Sequence, residues 1–257
     1  MRTNPNLHNG DCLEWLRKLP DGFADLAITS PPYNMNLRIR NGKYCSRQLV
    51  KELSTKYDGY DDNLSMEDYF SFNKAIITEL NRTAKTTFFV VQVLTGNKPA
   101  IFRLMGEFNS QIKEMIIWDK MTAEPSMLEG VMNSQFECIL VFSGTTPESR
   151  RFGNAQFDRG TLPNLWKIPK NKNKHKSHKA AFPNILVDTI IDNFSVPGQI
   201  IIDPMLGTGT VGICSVKKGR QFYGCELLPH YFEIAKNTIE RELNELQTQL
   251  PLRQRSR

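Results

Sequence analysis

Residues 200–210 read Ile-Ile-Ile-Asp-Pro-Met-Leu-Gly-Thr-Gly-Thr, and the local rules change along that span. The β-branched run Ile200-Ile201-Ile202 suits a buried strand. The run leads into an acidic residue, Asp203. Gly207-Thr208-Gly209 then gives a tight turn in which the backbone can approach a ligand closely. From Thr210 to about Lys218 the pattern is helical. Strand, glycine turn and helix N-terminus in that order are how α/β proteins build nucleotide-type sites. The same turn also serves as plain structure in many α/β proteins, so its meaning depends on its surroundings.

Downstream, Gln221-Phe-Tyr-Gly-Cys225 reads as the next strand, with Glu226 at its end. An acid there, roughly 20 residues past the glycine loop, is placed to accept from ribose hydroxyls. Pro229 fits the first position of a helix that continues through Ile239. Upstream, Asp25-Leu-Ala-Ile-Thr29 reads as a buried strand stopped by Ser30-Pro31-Pro32-Tyr33-Asn34. Two prolines would give a stiff strand-end loop presenting a hydroxyl, backbone carbonyls and an aromatic ring. Those parts suit a flat, hydrogen-bonding ring such as a nucleobase; the alternative is a rigid turn with a packed tyrosine.

Between these segments, strand and helix signals alternate. Ser65 is a helix cap with Glu67 and Asp68 in the first turn, and the helix runs on to Leu80. Thr86–Val91 is a strand, Pro99–Phe108 a helix, Ile112–Trp118 a strand broken near Asp119-Lys120, Glu137–Phe142 a strand, and Phe182–Phe194 a helix. Such alternation predicts a doubly wound α/β fold, a mainly parallel sheet with helices on both faces. Residues 143–179 show no convincing element, and a segment that long is usually functional or disordered.

The chain has 257 residues, a formal charge of +6 and five cysteines, at 12, 45, 138, 214 and 225. That length can bury a substantial core in one domain. No cysteines pair closely, so neither a zinc framework nor a disulfide scaffold is expected, and a reducing compartment is. No apolar run spans a bilayer, and the N-terminus has no apolar signal region. The sequence pI of about 9.0 permits a polyanionic partner. Its basic residues cluster: Lys170, Lys172, Lys174 and Lys176 lie in one loop, and Arg38, Arg40 and Lys43 follow the Pro-Pro-Tyr loop. Each is either a solvated surface or a phosphate-contacting one.

The pairing of Ser30-Pro-Pro-Tyr33 with Asp203-Pro-x-x-Gly-x-Gly-Thr210 resembles the amino-group DNA methyltransferases. Gly10-Asp11-Cys12, Leu19-Pro20-Asp21, Phe136-Glu137-Cys138-Ile139-Leu140, Leu165-Trp166-Lys167-Ile168-Pro169 and His178-Lys-Ala-Ala-Phe182-Pro183 extend the likeness over nearly the whole chain. The catalytic loop precedes the cofactor loop, an order that resembles the β class. Met205-Leu206 departs from the Phe-Ala common there, and the recognition region is short.

The resemblance implies a seven-stranded-type methyltransferase sheet with a small target-recognition insertion. It divides the single domain into a catalytic half (about 1–142), a recognition region (about 143–179), a cofactor half (about 180–247) and a tail (about 248–257). It implies S-adenosyl-L-methionine as cofactor, double-stranded DNA as partner, a homodimer as in many relatives, no metal, and a cytoplasmic, DNA-associated setting in a bacterium, archaeon or phage. Gly207 and Gly209 would line the methionine moiety, in one motif with Pro204 and Thr210, and Asp203 would orient its amino group. Glu226 would bind the ribose hydroxyls, Asp11 the adenine amino group with Cys12 beside it, and Phe182 and Pro183 the methionine end. Ser30, Pro31, Pro32 and Tyr33 would hold the target base. Arg150, Arg151 and Arg159 in the recognition region would join the two basic clusters on DNA.

An exocyclic amino group is a poor nucleophile because its lone pair is delocalised into the ring. Accepting its hydrogens on Ser30 Oγ and the Pro31 carbonyl would localise that pair, and in-line transfer would then depend on positioning and electrostatics. Inside a duplex the base must first flip out. Ring-carbon methylation of cytosine needs a cysteine nucleophile, commonly in a Pro-Cys pair, and this chain has no such dipeptide. In the family, Ser at the first loop position goes mostly with cytosine N4, and Asp or Asn with adenine N6. Cytosine N4 is therefore the expectation and adenine N6 the alternative. RNA or protein methyltransferases usually place the cofactor loop first. A non-catalytic DNA-binding module would not need Gly207, Gly209 and Glu226.

Overall fold

The computed structural model describes residues 5–34, 38–40, 43–45, 62–124, 129–143, 150–170 and 182–248. In chain order its elements are β1 (Asn6–Asn9), α1 (Cys12–Lys18), β2 (Ala24–Thr29), β3 (Arg38–Arg40), β4 (Lys43–Cys45), α2 (Met66–Thr83), β5 (Ala84–Val91), α3 (Lys98–Glu107), β6 (Ile112–Glu124), β7 (Ser134–Ser143), β8 (Leu165–Lys167), α4 (Asn184–Phe194), β9 (Ile200–Asp203), α5 (Thr210–Lys217), β10 (Gln221–Glu226) and α6 (Pro229–Thr248).

Eight strands form one sheet in the order β1-β10-β9-β2-β5-β7-β6-β8, and β3 and β4 form a separate antiparallel pair. From β1 across to β5 all neighbours are parallel; β7 is antiparallel to both β5 and β6, and β8 is parallel to β6. The expected mainly parallel, doubly wound architecture is present. Its eighth strand is the three-residue β8 at the far edge.

The period-2 alternation of the strands distributes the core. Leu26, Ile28, Phe88, Val90 and Ile201 face one layer, with α4, α5 and α6. Ala24, Ala27, Phe89, Val91 and Ile202 face the other, with α1, α2 and α3. Both faces of the central strands are therefore apolar, which is why they read as continuous hydrophobic runs.

Two expectations are corrected. β6 does not break at Asp119-Lys120 but continues to Glu124, with a register shift between Asp119 and Glu124. Lys120, at the expected break, is fully buried within the strand. Residues 143–179, read as lacking elements, contain β8. Their described part also packs on the core: Phe152 and Phe157 lie 5.0 and 5.5 Å from Phe194 between ring centroids.

The glycines of the Gly207-x-Gly209-x-x-Gly212 turn do different jobs. Gly209 caps α5 in the left-handed region at φ 88°. A Cβ on Gly212 would sit 2.4 Å from Ile239 Cδ1 and 2.7 Å from Phe222 Cε1, so this glycine lets α5 close onto β10 and α6.

Candidate active site

Parallel pairing of β2 with β9 sets their C-terminal ends side by side, through Leu26–Ile201 and Ala27–Ile202. The two strands end at Thr29 and Asp203. Thr29 Oγ1 donates to Asp203 Oδ1 at 2.8 Å in a fully buried bond. The Pro-Pro-Tyr loop and the glycine loop thus leave adjacent strands from a shared anchor. They open onto a cavity of about 440 Å³.

Ten of the residues assigned in advance line that cavity: Asp11, Cys12, Ser30, Pro32, Phe182, Asp203, Pro204, Gly207, Thr210 and Glu226. They come from five separate places in the sheet and loops, so their convergence is a property of the fold. Pro31, Tyr33, Pro183 and Gly209 are not among the lining residues. Pro31 is buried, Pro183 caps α4, and Gly209 caps α5.

The acids are held by backbone. Glu226 Oε2 accepts from Gly207 N at 2.8 Å and Oε1 from Leu228 N at 2.9 Å, which ties β10 to the glycine loop. Burial raises its pKa despite those bonds. Asp203 Oδ1 also accepts from Met205 N at 3.0 Å. Burial pushes the Asp203 carboxyl up to about 7, against the bonds from Thr29 and Met205, and the Glu226 charge adds to the rise. Asp11 caps α1, its Oδ1 accepting from Glu14 N at 2.9 Å. Cys12 is pushed up to about 12, mainly by burial and then by the Asp11 charge, so it stays a thiol.

The stiffness expected of the Pro-Pro-Tyr loop from its two prolines has further sources. Asn34 adopts a left-handed φ of 52°, a region asparagine enters more readily than most residues. Its Oδ1 accepts from Leu64 N at 2.8 Å, and its Nδ2 donates to Leu64 O and Gly96 O. Buried Asn97 donates to Tyr33 O at 2.8 Å and to Gln92 O. The Tyr33 hydroxyl donates to Glu137 Oε2 at 2.8 Å, and Lys120 Nζ lies 3.2 Å from Glu137 Oε1.

Sequence reasoning missed part of the lining. Leu64, Asp68 and Phe72 come from α2 and its lead-in, Leu227 and Leu228 from the β10–α6 turn, and Tyr231 from α6. Asp68 and Phe72 are four apart on one helix, hence on one face, but Asp68 reads simply as a first-turn acid. Among the expected DNA contacts, Arg150 is paired with Glu114 of β6, Arg159 is exposed, and Lys170 is half-buried. Arg151 is exposed. Lys172, Lys174 and Lys176 lie outside the described residues, as do the side chains of Arg38, Arg40 and Lys43. Among the described residues no cluster of His, Cys, Asp and Glu could hold a metal, and no helix is long and apolar enough to cross a membrane.

Residues 24–237 match the N6/N4 methylase family model, described as DNA methylase. The chain is 24% identical to the type II methyltransferase M.ScaI of Streptomyces caespitosus, over 93% of this chain and 83% of that protein. It is 24% identical to M.BglII of Bacillus subtilis, over 93% and 70%. Its fold is similar to that of PvuII DNA methyltransferase, cytosine-N4-specific, at a TM-score of 0.69 and 18% identity, covering 96% of this chain and 93% of that one. TTHA0409 of Thermus thermophilus, solved in complex with S-adenosyl-L-methionine, gives 0.63 at 22% identity, covering 93% and 95%.

Proposed function

This chain belongs to the DNA methylase family of N6 and N4 amino methylation, and from that premise we propose that it methylates cytosine N4 in DNA, using S-adenosyl-L-methionine. The observation that carries the reading is the Thr29–Asp203 bond, which fixes the catalytic and cofactor loops on one cavity. The residues present fit that cofactor. The cavity volume falls within the roughly 300–1,000 Å³ of ligand pockets. Its carboxylates, Asp11, Asp203 and Glu226, match a ligand bearing an ammonium, an aromatic amine and ribose hydroxyls. Leu206, Val211, Phe182 and Tyr231 supply apolar walls for a purine ring.

When bound, S-adenosyl-L-methionine supplies a methyl group on a positively charged sulfur. Ser30 Oγ and the Pro31 carbonyl accept the two amino hydrogens of the flipped base and localise its lone pair. Tyr33 stacks on the base, Asp203 and Glu226 hold the donor in line, and alignment supplies much of the rate. The amino nitrogen sheds its proton after transfer, so no strong base is required. Serine at position 30 supports cytosine N4 over adenine N6. The region 143–179 would read the site, and the basic residues would hold phosphates. The catalytic half would be 1–142 and the cofactor half 180–247. The setting would be the DNA-associated cytoplasm of a cell with a type II restriction-modification system. A homodimer is carried over from the family resemblance, and sedimentation gives its stoichiometry.

Incubating the protein with labelled cofactor and DNA, then digesting to nucleosides for mass spectrometry, should yield N4-methylcytosine. N6-methyladenine would replace the cytosine reading, and no methylated nucleoside would sink both. Ser30→Ala should cut transfer by about 10²–10³-fold, the scale of losing a group matched to the transition state. Cofactor affinity should hold within about threefold on the same principle, because Ser30 acts on the base. Equal loss of both would contradict that division.

A further inference from the structure

Lys120 is a lysine at 0% exposure in the middle of a strand. Burying an ammonium is costly unless it is paired and hydrogen-bonded. Its partner, Glu137, faces it from the neighbouring strand β7 and is 8% exposed. One carboxylate oxygen of Glu137 takes Lys120 at 3.2 Å, and the other takes the Tyr33 hydroxyl at 2.8 Å. Tyr33 is held at its other end as well, where its carbonyl accepts from Asn97. The local backbone is unusual: Met121, directly after Lys120, has φ 64°, and the β6–β7 register shifts beyond Asp119.

Stacking on a base needs only an aromatic ring, and phenylalanine would provide one. The hydroxyl of Tyr33 is committed instead to a buried carboxylate whose own orientation is set by a buried cation. We propose that Lys120 and Glu137 are positioning residues, a charged strut between β6 and β7 that sets the plane of the Tyr33 ring against the target base. The inference rests on the reading of Tyr33 as the stacking residue. A bond to an ionised acceptor is short and directional, so it restricts ring rotation in a loop that proline fixes only at the backbone. The lysine, 3.2 Å from Oε1, stops Glu137 from swinging toward other donors. Misplacing reacting groups by about 1 Å can cost roughly 10²-fold, so a strut outside the cavity can govern the rate inside it.

The test compares Tyr33→Phe, Glu137→Gln, Glu137→Ala and the double variant Tyr33→Phe/Glu137→Ala in the full-length protein. Single-turnover methyl transfer at saturating DNA, KM for DNA, and cofactor affinity by calorimetry are measured. Tyr33→Phe should lower the transfer rate by about tenfold with cofactor affinity unchanged, and Glu137→Ala by at least as much, on the scale set by misalignment. Glu137→Gln should recover most of the loss, because its carbonyl still accepts from Tyr33. The double variant should be no slower than Glu137→Ala alone. Tyr33→Phe at the wild-type rate, or single effects that multiply, would overturn the inference. If Glu137→Ala does not fold, Tyr33→Phe decides alone, since it retains the ring. A wild-type protein that methylates no DNA defeats the underlying reading; active wild-type with an equally active Tyr33→Phe defeats only the strut.

Discussion

Asp203 sits where folding and ligand binding pull in opposite directions. Burial raises its carboxyl to about 7, from roughly 3.9 in an unfolded chain. Between those values the folded protein holds more protons than the unfolded one, so stability falls as pH rises from about 4 to 7. Asp203→Asn keeps an acceptor for Thr29 and Met205 and should flatten that dependence. Urea midpoints at pH 5 and pH 8 measure it, and an unchanged slope would clear Asp203 of the effect. A cationic ligand reverses the preference, because it favours the ionised acid. Cofactor affinity should therefore weaken by up to about tenfold per pH unit below 7, read by calorimetry, with proton release visible in buffers of different ionisation enthalpy.

At the scale of elements, the sequence is most readable where composition and chain breakers agree. Asp25–Thr29 before two prolines, and Ile200–Ile202 before Asp203-Pro204, appear as strands within a residue of their observed bounds. Their loops carry most of the assigned cavity lining, so much of the site is legible with them. What stays hidden depends on distant partners. β1 is four residues at an edge and exists by pairing with β10. α1 spans seven residues, too few for a periodic stripe. Lys120 reads as a strand breaker because nothing local shows that Glu137 neutralises it.

Glycine positions give a further check on packing at this scale. Gly212→Ala would force a Cβ into Ile239 and Phe222 and should cost about 1–3 kcal/mol, as overpacking does. Gly106 lies within α3 with nothing within 4 Å of an added Cβ. There alanine should add about 0.5–1 kcal/mol. Denaturant midpoints distinguish the two, and equal effects would contradict the close approach of α5 to β10.

In the whole molecule, the first described strand lies at the sheet edge beside the last. Gly10 N donates to Glu226 O at 3.0 Å, and Asn9 Nδ2 donates to the same carbonyl at 2.7 Å. These contacts hold the end of β10 where Glu226 turns toward the glycine loop. Deleting residues 1–10 should therefore weaken cofactor binding by at least about tenfold, or 1.4 kcal/mol. That is more than removing a solvated terminus would do. Calorimetry on the truncated protein tests it, and undiminished affinity would show that β10 holds its own geometry.

The Thr29–Asp203 bond joins residues 174 apart in the chain. On the ribosome, β2 emerges before β9 and waits, without that neighbour, until β9 has been made. Contacts of such separation form late, after the loop-closure entropy has been met. An unfinished chain would therefore carry the catalytic loop but no assembled site. Catalytic competence would switch on only once β9 has been made, so a copy terminated before it would leave the cell's DNA unmarked.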